Sequence, residues 1–146
     1  MAVGVSVEEK NLLAFREGMQ KAVDSQLAGG ELISRLELDA EISLADMDGS
    51  FFDHYEAMEP FGMGNHEPIF LVRNVEPALP GQIIRDKHWK LLLKQGREVR
   101  PAMWFSAPWR EAPAAPWDVA VRLQRHYWRG TESWQLMVCG ARKAQR

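Results

Sequence analysis

The chain has one cysteine, Cys139, and only two tyrosines in 146 residues. A single cysteine excludes an internal disulfide and any cysteine-rich zinc site, and it fits a reducing compartment. No apolar run approaches the roughly eighteen residues that a membrane-spanning helix requires. The opening Met1-Ala2-Val3-Gly4-Val5 lacks the charged leader of a signal peptide. There is no internal repeat and no low-complexity tract. These absences set the expectation of a soluble, cytoplasmic protein with no membrane partner. What is present suits a globular chain: 46% apolar residues with six tryptophans. The length fits one domain, or one domain plus an extension.

Proline, glycine and asparagine cluster in Glu59-Pro60-Phe61-Gly62-Met63-Gly64-Asn65-His66-Glu67-Pro68-Ile69-Phe70. Such a stretch cannot be the interior of a helix or of a central strand. Its two phenylalanines, methionine and isoleucine imply a turn packed down on the protein. The same stretch divides the chain by charge. Residues 1–68 carry 4 Lys+Arg against 14 Asp+Glu, and residues 69–146 carry 14 against 6. The near-neutral whole therefore joins an acidic half to a basic one, which suggests a polyanion partner for the second.

In chain order, residues 3–7 read as a short strand, and Ser6 with Glu9 as a capping box. Leu12, Phe15, Met19, Ala22, Val23 and Leu27 recur at helical spacing, with Gly29-Gly30 as the stop. Residues 32–42 alternate like a half-buried strand. A second helix is predicted from an N-cap at Ser43, with Asp46 in its first turn and Gly49 inside it, until Pro60 closes it. Beyond the turn the period becomes two. Strands are predicted over 69–79, 83–94 and 99–105. Residues 107–116 follow as a long loop, and two further strands meet in a hairpin around Gly130. Five short strands with a long connection before the fourth predict a mainly β fold: a five-stranded OB-type barrel with an N-terminal α/β extension.

No catalytic arrangement is visible. Cys139 has no cationic neighbour in sequence to activate it. In Asp53-His54-Tyr55-Glu56, helical spacing turns the histidine away from the two acids, which reads as surface charge rather than a metal cluster. Gly62-Met63-Gly64-Asn65 follows a helix and precedes a strand, the reverse of a phosphate-binding loop. The expectation is no catalytic and no metal residue.

The basic half is more informative. Proteins that bind single strands pair a cationic groove with flat side chains on which bases stack. On an OB barrel the usual surface is the outer face of its second and third strands, with the flanking loops. The predicted register collects His88, Lys90, Lys94, Arg100 and Trp104 there, with Trp128 and Arg129 in the hairpin. Trp104 either stacks bases or packs. Trp89 and Trp134 fall on the inward alternation, and packing is favoured for Trp109 and Trp117.

The segment Pro60-Phe61-Gly62-Met63-Gly64-Asn65-His66-Glu67-Pro68-Ile69-Phe70 resembles the PFG-x-GN-x-x-P-x-F signature of the RecJ family, bacterial single-stranded-DNA-specific exonucleases. Pro60, Phe61, Gly62, Gly64, Asn65, Pro68 and Phe70 carry that motif. Met1 to Ser6 and Asn11 to Glu17 resemble the end of the family's DHH-associated domain. His88-Trp89-Lys90-Leu91, Trp128-Arg129-Gly130 and Gln135-Leu136 resemble its C-terminal OB domain. The resemblance implies a division into 1–58, the end of the DHH-associated domain; 59–68, a coupling turn; and 69–146, the OB domain. The family's metal-binding Asp and Asp-His-His motifs have no counterpart here, so manganese or magnesium is implied only for upstream catalytic domains. His126 stands where the family often has asparagine. The implied function is a single-stranded-DNA-binding module, itself not catalytic. An alternative is a barrel that docks an acidic peptide, such as the tail of a single-strand-binding protein.

Overall fold

The computed structural model describes residues 4–27, 35–108, 114–128 and 130–144. The chain forms two compact units, Met1–Arg35 and Leu36–Arg146. In the first, a 3-10 turn (Glu9–Asn11) leads into α1 (Leu12–Leu27). The predicted Ser6–Glu9 capping box does not form. Glu8 takes the N-cap position without a side-chain cap bond, and its carboxylate instead meets Lys10 Nζ at 2.8 Å. Residues 4–8 carry no strand. The stripe of Leu12, Phe15, Met19 and Val23 lies along one side of α1, and no residue of that helix is buried. The Gly29-Gly30 stop falls outside the described residues.

The second unit contains β1 (Ala40–Glu41), α2 (Gly49–Ala57), β2 (Phe70–Pro77), β3 (Gln82–Ile84), β4 (His88–Gln95), β5 (Glu98–Trp104), β6 (Trp117–Trp128) and β7 (Thr131–Lys143). Five strands close a ring in the order β2-β6-β7-β5-β4, sealed where Glu76 and Pro77 of β2 pair with Lys94 and Leu93 of β4. Every junction is antiparallel except β5–β7. That one is parallel and short, made by Ala102↔Leu136 and Met103↔Met137. Pro101, the next residue back along β5, has no N–H to extend it. This connectivity is that of an OB barrel, as the alternation predicts. Val72, Val75, Leu91, Leu93, Val119, Val121, Leu123 and Leu136 fill its interior.

Three local expectations are corrected. The strand predicted over 83–94 is two, β3 and β4. The chain reverses at Arg85 and Asp86 with φ of 50° and 57°, a left-handed conformation that aspartate tolerates and arginine does not advertise. Of the strand predicted over 32–42, only Ala40–Glu41 pairs, parallel to β2; residues 32–34 are not among those described. The second helix starts at Gly49 rather than Ser43. Ser43 closes a separate turn, its N and Oγ each donating to Asp46 Oδ2 at 2.7 Å. The N-cap is Asp48, whose Oδ1 accepts from Phe51 N at 2.9 Å. Gly49 is thus a first-turn residue, not an interior weakness.

Helix α2 belongs to the same core as the barrel. Tyr55 is buried, with its hydroxyl 3.1 Å from Glu67 Oε1 and 3.3 Å from the Leu123 carbonyl oxygen. Burial, reinforced by the Glu67 charge, raises its phenol well above the ordinary range. Phe52 stacks on Trp134 at 4.6 Å, and Phe51 meets Phe70 edge-on at 5.7 Å. Next in the chain, Gly62 and Asn65 exchange backbone hydrogen bonds of 2.8 and 3.2 Å, with Gly64 between them at φ 84°. Asn65 Nδ2 donates to the carbonyls of Met58 and Pro60 at 2.8 and 3.0 Å, satisfying oxygens that the end of α2 leaves open. Phe61 lies 5.3 Å from Tyr55, so the turn is pinned against the helix it follows.

Asp118 is the one buried charged residue among those described, at 2% exposure. Its carboxylate accepts from Arg73, from Arg142 and, at 3.3 Å, from the backbone N of Asn74, where β2 bulges with φ 53°. Asp118→Ala is expected to lower unfolding stability by about 2 kcal/mol, chiefly by stranding that amide, as urea denaturation would show. The Ser43 bonds hold the Asp46 carboxyl below its ordinary 3.8. Their stabilisation is therefore complete above about pH 4 and lost as pH falls through the lowered folded value. The melting-temperature gap between the parent and Asp46→Asn should close over that acid range.

Candidate nucleic-acid interface

The outer face of β4–β5 follows from register. Trp89↔Trp104, Leu91↔Ala102 and Leu93↔Arg100 are cross-strand pairs, and the first two are wholly inward. The intervening rungs, Lys90↔Met103, Leu92↔Pro101 and Lys94↔Val99, therefore face outward. A groove of about 840 Å³ opens over this surface, lined by Ile84, Lys90, Met103, Phe105, His126, Thr131, Ser133 and Gln135. It crosses from the β3–β4 hairpin to the β6–β7 hairpin.

His88 opens β4 at the rim. Its Nδ1 accepts a hydrogen bond from Ser106 N at 3.1 Å, and its ring meets Phe105 edge-on at 5.0 Å. Arg85 and Lys87 stand exposed in the β3–β4 turn. With Lys90 they make no ion pair among the described residues.

Two of the seven expected binding residues do not reach this surface. Trp104 is 5% exposed, packed in the barrel opposite Trp89, so it cannot offer a ring to a base. Arg100 shares the inward row. Its Nη2 donates to the carbonyls of Leu44 and Met47 at 3.3 and 3.2 Å, and its Nη1 to Glu98 at 2.9 Å. It fastens the 44–47 segment to the end of the barrel. Lys94 faces outward but lies 3.5 Å from Glu76. Trp128 ends β6, paired with Thr131 beside the groove, and Arg129 lies outside the described residues, as does Trp109. The structure therefore brings His88 and Lys90 together at the groove, with the Trp128 backbone at its border.

The residues that sequence reasoning missed are Phe105, Met103, Ile84, His126 and the short polar row Thr131, Ser133 and Gln135. The signal was available in the β4–β5 turn. Gln95 pairs directly with Glu98 across a two-residue loop containing Gly96 at φ 61°. That loop fixes the parity of β5 and sends Met103 and Phe105 outward.

Among the described residues no group of three His, Cys, Asp or Glu side chains could hold a metal ion. Desolvation raises the Cys139 thiol more than Arg122 lowers it, which keeps it protonated and poorly nucleophilic at neutral pH. Among the same residues no helix is long and apolar enough to cross a membrane.

The closed ring, its single parallel junction and the groove over β4–β5 define an OB-fold domain. A family model described as the RecJ OB domain matches residues 38–140, and the chain belongs to that family. Two crystal structures of RecJ from Thermus thermophilus share its fold. One, in complex with Mn2+, superposes with a TM-score of 0.66 at 20% identity over 98% of this chain and 21% of that one. The other, in complex with Mg2+, gives 0.62 at 22% identity over 97% and 21%. The chain thus spans about a fifth of the length of those proteins. A comparison with curated proteins finds no match.

Because Trp104 is core rather than platform, Trp104→Ala should cost about 3–5 kcal/mol of stability. Chemical denaturation followed by circular dichroism would check this; a loss below about 1 kcal/mol would contradict the packing described.

Proposed function

We propose that this domain binds single-stranded DNA for a RecJ-like exonuclease, holding the strand for metal-dependent hydrolysis by catalytic domains outside this chain. The observation that carries the reading is the open groove over β4–β5, which sets Lys90 beside apolar side chains on the outer wall of an OB barrel. Lys90, with Arg85 and Lys87 at one end, would meet phosphates. Ile84, Met103 and Phe105 would meet bases, and Thr131, Ser133 and Gln135 would hydrogen-bond to sugar or base edges. His88 borders the same wall. Trp128 and Arg129 belong to the hairpin at the far side. The work is binding: the strand gains residence, and duplex DNA is disfavoured because its bases are not free to stack.

The same proposal takes Met1–Arg35 as the end of a DHH-associated domain. The division expected at residue 58 moves upstream, because α2 shares the barrel's core and the OB-domain match begins at residue 38, and 59–68 is the turn that joins α2 to β2. It also takes the protein as a cytoplasmic DNA-repair and recombination nuclease, with the metal held upstream. A second reading is favoured by the apolar share of the groove. An acidic peptide, such as the tail of a single-strand-binding protein, would place carboxylates on Lys90 and apolar side chains on Met103 and Phe105. Mutual displacement of peptide and oligonucleotide would mark a shared groove.

Three free cations imply a gentle salt dependence. At about 0.7 per phosphate contact on single strands, log affinity should fall against log salt with a slope of about −2. Lys90→Ala should reduce that slope by about 0.7 and weaken binding at every salt concentration. Fluorescence anisotropy of a labelled oligothymidylate measures both. No rise in anisotropy at low salt would reject the proposal.

A further inference from the structure

Strand β5 ends with Trp104 turned into the core, and the next residue, Phe105, leaves it on the groove side, 55% exposed. An exposed phenyl on a loose turn would gain nothing from being held still. This one is held. Ser106 sits at φ 51°, a conformation that L residues rarely adopt, and its N–H is spent on Nδ1 of His88 at 3.1 Å. One residue on, Ala107 N donates to the Lys87 carbonyl at 3.0 Å, tying the same turn to the residue before His88. The His88 ring then meets the Phe105 ring at 5.0 Å and 71°, the edge-on geometry that aromatic pairs prefer. A turn in an unfavourable conformation is thus braced from the start of β4, and the braced side chain is an aromatic ring facing a groove.

We infer that Phe105 is the base-stacking platform of this groove and that His88 is its positioning residue, through the Ser106 amide and the edge of the imidazole. The inference rests on the strand-binding reading above. A phenyl has no donor or acceptor, so the platform accepts any base and sets a preference for unstacked over paired nucleotides rather than for sequence. Fixing the ring beforehand removes an ordering cost that a free side chain would bear on binding. His88 does this with an unprotonated Nδ1, which puts the ring proton on Nε2 in the bonded form. An asparagine side-chain oxygen occupies nearly the same place as Nδ1 and can accept the same bond.

The test uses the whole 146-residue chain and a labelled oligothymidylate. Phe105→Ala and Phe105→Leu should each weaken binding by about tenfold, while Phe105→Trp stays within about twofold of the parent. His88→Ala should weaken binding by about fivefold, and His88→Asn should recover most of it. In the free protein, the 15N-resolved amide proton of Ser106 should shift upfield and exchange faster in His88→Ala but not in His88→Asn. A parent that binds while Phe105→Ala binds equally well overturns the inference and leaves strand binding standing. A parent that does not bind removes both. Equal losses in His88→Asn and His88→Ala, or an unmoved Ser106 amide, overturn the positioning role.

Discussion

The pairing of Trp89 with Trp104 across β4 and β5 is the contact on which the rest of the molecule depends. Two buried indoles facing inward from adjacent strands of a five-stranded ring set which row of β4 and of β5 is wet. Once they are inside, Lys90, Met103 and Phe105 have to be outside, because strand side chains alternate strictly. The groove wall is thus the reverse side of the core. A one-residue slip of β4 against β5 would bury Lys90 and expose Trp89, which makes the register costly to lose.

Charge is organised by the same economy of space. The imbalance between the two halves suggests a large polyanion partner, yet a good part of it is satisfied within the chain. Glu41 meets Arg73, Glu67 meets Arg122, and Glu56 meets Arg125, each pair joining the acidic half to the barrel. Arg125 also lies over the Trp134 ring at 5.5 Å and beside Glu132. Such partly exposed pairs add little stability singly. Their effect on the surface is larger, because they neutralise cations on the α2 side of the barrel, while Arg85, Lys87 and Lys90 make no ion pair among the described residues. Where charge remains matters more for recognition than the total.

The barrel was legible because its strands alternate cleanly and its turns carry glycine or proline. Residues such as Leu91, Leu93, Val119, Val121 and Leu136 face inward as their spacing requires. The reversal at Arg85-Asp86 was not legible, since Asp86 tolerates positive φ but Arg85 beside it does not signal it and no glycine or asparagine marks the turn. Ser43 looked like a helix cap because a serine with an acid three residues later also closes an isolated turn. Part of the candidate site was legible in the same way: Lys90 and His88 follow from the alternation of β4. Trp104 and Arg100 did not, because within 99–105 the row of Met103 and Phe105 is the more apolar and looks like the inside. What decides between the two rows is the two-residue loop between Gln95 and Glu98, which carries the parity of β4 into β5.

The junction of β5 with β7 is two residue pairs long, and Pro101 stops it from lengthening. From Gln124 to Trp128 and from Thr131 to Gln135, each strand of the last hairpin pairs with the other alone among the described residues. A ribbon with one neighbour per strand has half the lateral bonding of a barrel stave, so bending concentrates at its root near Leu123 and Leu136. Thr131, Ser133 and Gln135 lie along the side of this ribbon that lines the groove. Its other side is not free: Trp134 stacks on Phe52 and Arg125 pairs with Glu56, so α2 props the ribbon where the barrel does not, and the height of this groove wall is set by a helix outside the ring.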